Sequence, residues 1–177
     1  GREMKRIITE YAKPILFALL LAILITSMIR PTLVREYSMY PTIVPYSYII
    51  VNKTPYIFGM PAFGEIIVFR TDIDTEHGEG RRLIKRVIGV EGDKIEIKNG
   101  TVYLNGSALE EEYIYGGTTP GEMEPVTVSE GHVFVMGDNR PVSLDSRDAA
   151  VGEVALEDIL GRADFRLFPF SQIGVIR

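Results

Sequence analysis

Hydrophobic and polar positions along the chain change regime at Pro31. From Pro14 to Ile29 the chain carries no charge and runs through Ile15, Leu16, Phe17, Leu19, Leu20, Leu21, Ile23, Leu24 and Ile25. That run is a little short of the roughly 20 residues needed to cross a bilayer. Tyr11 and Ala12 extend it, and Lys13 can carry its amine to the headgroups while its methylenes stay in the apolar zone. Arg2, Lys5, Arg6 and Lys13 precede the run, so the positive-inside bias places the N-terminus in the cytoplasm and everything after Arg30 outside. The expected organisation is a cytoplasmic tail over 1–11, a single transmembrane anchor over 12–30 and an extracytoplasmic domain over 31–177. A cleaved export signal fits poorly, because Thr26-Ser27-Met28 ahead of Arg30-Pro31 lacks the small-residue cleavage pattern. A buried core helix would alternate with polar positions.

After Pro31 short alternating or apolar runs are separated by Gly, Pro, Asn and Asp, which predicts a mainly β, in effect all-β, domain with loop insertions. The expected strands are Tyr48 to Lys53, Glu65 to Arg70, Arg82 to Ile88, Lys94 to Lys98, Thr101 to Leu104, His132 to Met136 and Gly161 to Phe168. Asn99-Gly100 between two alternating runs is a strong type I′ hairpin signal. The polar stretches Thr71 to Gly80 and Glu110 to Glu124 read as exposed loops whose acidic runs are solvated surface. There is no internal repeat.

Composition narrows the function. With 177 residues, 46% of them hydrophobic, the chain has about one domain's worth of core. A formal net charge of -5 argues against a nucleic-acid partner, which calls for a basic face. The absence of cysteine excludes disulfides, thiolate nucleophiles and cysteine-rich zinc sites.

Two residues then stand out. Ser38, in Ser38-Met39-Tyr40-Pro41-Thr42, follows the apolar run closely, and Lys85 lies within the β-patterned Leu83-Ile84-Lys85-Arg86-Val87-Ile88-Gly89. A serine hydroxyl needs a base to become a nucleophile, and a desolvated lysine amine can be that base. An ordinary lysine is neutral in only about one molecule in 2,500 at pH 7, so such a site must lower its pKa, and burial does so. Alternation sets Leu83 and Val87 on the face of Lys85, with Ile84 and Ile88 flanking Arg86 on the other. Periodicity does not choose between the two basic residues, but arginine stays protonated and cannot act as a base. Taken singly, Lys85 reads more readily as a solvated strand residue, and Ser38 more readily still as a turn former.

A third segment, Gly137-Asp138-Asn139-Arg140-Pro141-Val142-Ser143-Leu144-Asp145-Ser146-Arg147, changes that balance. Together with S-M-Y-P-T, the strand G-E-I-I-V-F (Gly64 to Phe69) and K-R-V-I-G-V-E-G-D (Lys85 to Asp93), it makes the chain resemble the bacterial type I signal peptidases over nearly its whole length. The single span and compact domain look like the Gram-positive type. The resemblance implies a Ser/Lys endopeptidase that removes signal peptides after small P1 residues of the A-x-A kind, with Ser38 as nucleophile, Lys85 as general base and Ser143 hydrogen-bonding the lysine amine. It implies ion pairs Asp145–Arg147 and Arg86–Asp138 around the site, and no metal or other cofactor. Met39 and Ile84, adjacent to nucleophile and base, are expected to line the P1 and P3 pockets. The implied partners are signal-peptide-bearing preproteins and membrane lipid, with the protein a monomer in the cytoplasmic membrane and no nucleic acid involved.

Two departures from the family pattern are visible. Glu91 stands where many members carry Pro, which predicts a looser turn, and Glu36 stands where some members carry a serine that donates to the oxyanion. A carboxylate cannot do that, which leaves the Ser38 N–H as the natural donor. His77 and His132 match no catalytic position. Ser38 is nine positions beyond Ile29, so it lies within about 30 Å of the anchor's outer end even when extended. Competing readings are a self-cleaving Ser/Lys repressor, which would need a DNA-binding module in place of the apolar run, and a non-catalytic or narrowly specialised homologue in surface-protein or pilus assembly.

Overall fold

The computed structural model describes residues 1–73 and 80–177, and for residues 5–9 the backbone alone. His77 and the centre of the Thr71 to Gly80 stretch lie outside the described residues. Helix α1, Arg2–Met28, contains an apolar span, Glu10–Met28, of 19 residues, none of it covered by the rest of the chain. At 1.5 Å per residue this span is about 29 Å long, the thickness of a bilayer's hydrocarbon core. Thr26 and Ser27 donate their hydroxyls back to the carbonyls of Ala22 and Leu24 at 2.8 and 2.7 Å, so the polar groups near its end are satisfied within the helix. Ile29 and Arg30, expected in the anchor, instead open strand β1, Ile29–Val34.

The remaining elements are β2 (Ser47–Asn52), a single turn α2 (Pro55–Phe58), β3 (Ile66–Arg70), β4 (Arg82–Val90), β5 (Lys94–Lys98), β6 (Thr101–Leu104), β7 (Ser107–Ala108), β8 (Met123–Thr127), β9 (His132–Met136), β10 (Val154–Ala155), β11 (Ile159–Phe168) and β12 (Gly174–Val175). Every strand expected from alternation is present, three of them with the expected bounds. A larger antiparallel sheet runs β1-β2-β11-β3-β4-β9-β10 with β12 beside β11, and a smaller one runs β7-β6-β5-β8. Asn99 and Gly100 have φ of 52° and 76°, the left-handed pair a type I′ turn requires, and Asn105 and Gly106 repeat it at 52° and 85° between β6 and β7.

The larger sheet is buried on both faces, which explains the near-continuous apolar run of β3 and β4. Ile66, Val68 and Ile84 pack with Val34, Met39, Ile43, Ile49 and Val51 on one side. Ile67, Phe69, Leu83 and Val87 pack with Val133, Val135 and Val154 on the other. A register shift between Val87 and Gly89 carries Ile88 into a third cluster with Ile95, Ile97, Val102, Phe134 and Met136, which joins the two sheets. Ile84 and Ile88 therefore do not share one cluster, as strict alternation predicted.

Two expectations about loops are corrected. Glu91 ties the β4–β5 turn to the start of β9 by accepting the Gly131 N–H at 2.9 Å, so the turn is anchored where a looser one was expected. Glu110 to Glu124 is not simply solvated surface: Thr119 and the Glu111 carboxylate are buried, and its end forms β8.

Candidate active site

Ser38 sits in the tight turn between β1 and β2, where Tyr40 N–H donates to Tyr37 O and Ile43 N–H to Met39 O. Lys85 lies at the middle of β4, in register with Ile67 of β3. These elements are separated in the sheet by β2, β11 and β3, yet the Lys85 Nζ donates to Ser38 Oγ across 2.8 Å. Both residues are buried, Ser38 at 6% and Lys85 at 1% exposure. The second partner of the amine is the Ile84 carbonyl at 2.9 Å. Val87 bonds toward Glu65 and Gly64, so odd-numbered residues of β4 face β3. The Ile84 carbonyl then points to the other edge, which β9 covers only from Arg86 onward.

Burial brings the Lys85 pKa down to about 8; Glu36 and Asp145 pull it upward and Arg81 adds to the lowering. A neutral amine is thus accessible near physiological pH, and the same 2.8 Å contact serves a lysine that donates when charged and accepts the serine proton when neutral.

Ser143 does not make the expected bond to the amine. Its Oγ is buried and has no hydrogen-bond partner of ordinary geometry among the described residues. The amine bonds instead to the Ile84 carbonyl, which adjacency in the chain alone places within reach. Ser143 instead lies against Gly137, where a methyl group would come within 2.2 Å of Ser143 Oγ and 2.4 Å of the Ser38 carbonyl oxygen. Only glycine fits that approach.

The charged residues of the third segment pair as their types imply. Asp138, fully buried, takes Arg86 Nε at 2.8 Å and Nη2 at 2.7 Å, and accepts Thr42 Oγ1 at 2.5 Å. Asp145 takes Arg147 Nε and Nη2, each at 2.9 Å, and the Gly137 N–H at 2.9 Å. Burial alone would raise the Asp145 carboxyl, but Arg147 and the Gly137 N–H outweigh it and hold it below the usual carboxylate range. Thr42, Asn139 and Arg140 belong to the same frame and were not singled out in the sequence, although each lies inside a quoted motif. Asn139 N–H donates to the Ser38 carbonyl at 3.0 Å and its Nδ2 to the Tyr37 carbonyl at 3.1 Å.

A groove of about 380 Å³ is lined by Ile84, the residue before Lys85, and by Glu36, two positions before Ser38, but not by Ser38 or Lys85 themselves. Its floor is apolar, with Leu33, Val34, Val51, Val68, Leu83, Ile84 and Leu160, and Glu36 at its rim is paired with Arg81. Ile84 lines it. Met39 does not: it is fully enclosed in the core beneath and supports the wall from behind. His132 is at the start of β9 with Nδ1 on the Glu130 carbonyl and takes no part in the site.

The model of the family described as signal peptidase, peptidase S26, matches residues 8–168, which includes every one of these groups. The chain belongs to that family. It is 36% identical over 174 residues to signal peptidase I T of Bacillus subtilis, covering 93% of this chain and 87% of that one. It is 37% identical over 171 residues to the probable signal peptidase I-1 of a Synechocystis species, covering 94% and 86%. A crystal structure of a signal peptidase I from Enterococcus faecalis is 31% identical, spans 58% of this chain and 96% of its own, and superposes with a TM-score of 0.48. Membership of the family makes the protein a membrane-bound serine peptidase of signal peptides, and α1 is its candidate membrane segment.

Proposed function

We propose that Ser38 is the nucleophile and Lys85 the general base of a signal peptidase that cuts exported preproteins after a small P1 residue. The observation that carries this reading is the buried 2.8 Å contact between the two side chains. Neutral Lys85 takes the Ser38 proton as Oγ bonds to the scissile carbonyl carbon, and the resulting ammonium returns that proton to the departing amine of the mature chain. An acyl ester on Ser38 remains. Lys85 then removes a proton from water, whose oxygen displaces Oγ; the ammonium returns that proton to Oγ, restoring the Ser38 hydroxyl, and the signal peptide leaves as a carboxylic acid that ionises in water. The Ser38 N–H faces the developing oxyanion, and Glu36 contributes no donor.

The substrate enters as an extended strand. The Lys53 N–H bonds the Met28 carbonyl and β1 pairs with β2 in that register, so Pro31, Leu33 and Arg35 face away from β2. Pro31, which has no N–H, therefore interrupts no ladder bond. That open edge and the free Arg82 and Ile84 edge of β4 border the groove, with Ile84 and its apolar neighbours limiting P1 and P3 to small side chains. Residues 1–11 are cytoplasmic, 12–28 anchor the protein and 29–177 face outward as a monomer against the lipid surface; no nucleic acid or cofactor takes part.

The test is cleavage of a membrane-reconstituted preprotein bearing an A-x-A site by the intact chain, Ser38→Ala and Lys85→Met across a pH series. Cleavage after the P1 alanine, lost in both variants, is the expected result. Retained cleavage in either variant removes that residue from its role.

A further inference from the structure

Nothing in the composition of Glu110 to Tyr115 announces a buried segment, yet alternate residues of it grip the frame behind the dyad. Glu110 and Glu112 are exposed. Glu111 between them turns its side chain inward, 4% exposed, and takes both terminal nitrogens of the fully buried Arg140 at 3.0 and 2.6 Å. Arg140 also donates to Thr119 Oγ1 at 2.6 Å and to the Gly137 carbonyl at 2.9 Å. Tyr113 donates its hydroxyl to Glu111 at 2.8 Å and sets its ring 3.9 Å from the Arg86 guanidinium. The Tyr115 N–H donates to the Asp138 carbonyl at 2.9 Å, and its ring meets Tyr40 edge-on with centroids 5.1 Å apart.

The groups gripped are Gly137, Asp138 and Arg140, together with Arg86, the residue after Lys85. Asn139, held between Asp138 and Arg140, carries the N–H that binds the Ser38 carbonyl. The path from Glu111 to the nucleophile is therefore Arg140, one peptide unit and one hydrogen bond. A carboxylate and a guanidinium taken out of water are tolerated only with excellent geometry, and the bidentate fork admits a single arrangement of the partners. We propose that Glu111, seconded by Tyr113, is a positioning residue for catalysis, fixing Ser38 relative to Lys85 through Arg140 and Asn139, so that the inserted small sheet is part of the catalytic apparatus although Glu111 does not touch the reacting atoms. The proposal rests on Ser38 and Lys85 being the dyad.

The chain has no cysteine, so Ser38→Cys introduces a unique thiol whose alkylation rate by iodoacetamide reports its titration in the full-length, membrane-reconstituted protein. An isolated thiol titrates near pH 8.5, and a neighbouring ammonium lowers that value. The thiol of Ser38→Cys is expected to titrate at least one pH unit below that of Ser38→Cys/Lys85→Met; equal titrations would refute the dyad itself. With the dyad so established, adding Glu111→Gln to Ser38→Cys is expected to move the titration at least half a unit toward the Lys85→Met value. In the serine enzyme Glu111→Gln is expected to lower kcat on a preprotein tenfold or more with KM within twofold. The charges acting most on Lys85 are Glu36 and Arg81 at the groove rim and Asp138 and Asp145 behind it. The substitution alters none of them, so a shift reports placement. A folded Glu111→Gln protein with unmoved thiol titration and unchanged kcat, even one that melts earlier, would overturn the proposal and leave Glu111 a tether of the insertion. Should Glu111→Gln not fold, Tyr113→Leu, which strands no charge, takes its place: the same shift supports the proposal and an unmoved titration overturns it.

Discussion

At the scale of single residues, Lys85 trades stability for reactivity. A pKa of about 8 leaves about a tenth of the amines neutral at pH 7, against about one in 2,500 for an ordinary lysine, which removes about 3 kcal/mol of the cost of using it as a base. Below pH 8, kcat/KM is expected to rise about tenfold per pH unit and then level off, as read from initial rates on a preprotein. Lys85→Arg, permanently charged, is expected to show no turnover at any pH. The same burial sets a stability profile. The folded pKa lies below the unfolded value of about 10.4, so between pH 8 and that value the unfolded chain holds a proton that the folded one has released, and stability rises with pH across that window. Below pH 8 the full penalty is present. Lys85→Met, inactive, is therefore expected to be more stable than the parent at pH 7 by on the order of 2 kcal/mol, with the difference shrinking toward pH 10 in denaturant titrations. A Lys85→Met protein less stable than the parent at pH 7 would mean that the bonds to Ser38 and Ile84 outweigh desolvation.

At the scale of elements, the 137–147 loop and β4 frame the proposed dyad while the β1–β2 turn carries its serine. The loop is fixed through Asp145, whose folded pKa is depressed. Its contribution is present above the unfolded carboxylate value near 3.9 and is lost as pH falls through the lower folded one. Asp145→Asn leaves Arg147 and the Gly137 N–H with a poorer partner and is expected to cost about 3 kcal/mol at pH 7, read by chemical denaturation. Gly137→Ala tests the closeness of the loop to the nucleophile. The added methyl would stand 2.4 Å from the Ser38 carbonyl oxygen, so either Ser38 or the loop must shift. A loss of kcat of at least a hundredfold is expected, since a displacement of about 1 Å costs that much; unchanged kcat would show that the loop shifts instead. Ser143 packs at the same spot, where a methyl on Gly137 would also stand 2.2 Å from its Oγ.

At the scale of the whole molecule, α1 passes into β1 with no linker, and the Lys53 N–H holds the last helical carbonyl of Met28, so the groove is fastened to the membrane segment. Enzyme and signal peptide then search for each other in two dimensions. A chain lacking residues 1–28 is expected to keep its kcat/KM on a short soluble peptide while losing about a hundredfold on preprotein in vesicles, the gain typical of co-localisation; equal losses on both would show that α1 is needed for the fold. The large features were legible because they are local. An uncharged apolar run the thickness of a bilayer, alternation in β3 to β6 and Asn-Gly at a hairpin each state their structure within a few residues. Their motifs also singled out Ser38 and Lys85, which the fold brings within 2.8 Å of each other. What the sequence left open depends on partners far along the chain. The second Asn-Gly turn, at 105–106, carried the same local signal and was passed over, whereas β1 was hidden by Pro31 and β8 by its charged surroundings. Sequence by itself determined which side chains are capable of the reaction and the regular elements that carry them. Only the tertiary structure decided that Met39 is sealed beneath the groove, that the amine bonds the Ile84 carbonyl and not Ser143, and that the Glu111 side chain is buried. Burial and hydrogen-bond partnership are set by which distant segments pack together, and no local pattern encodes that.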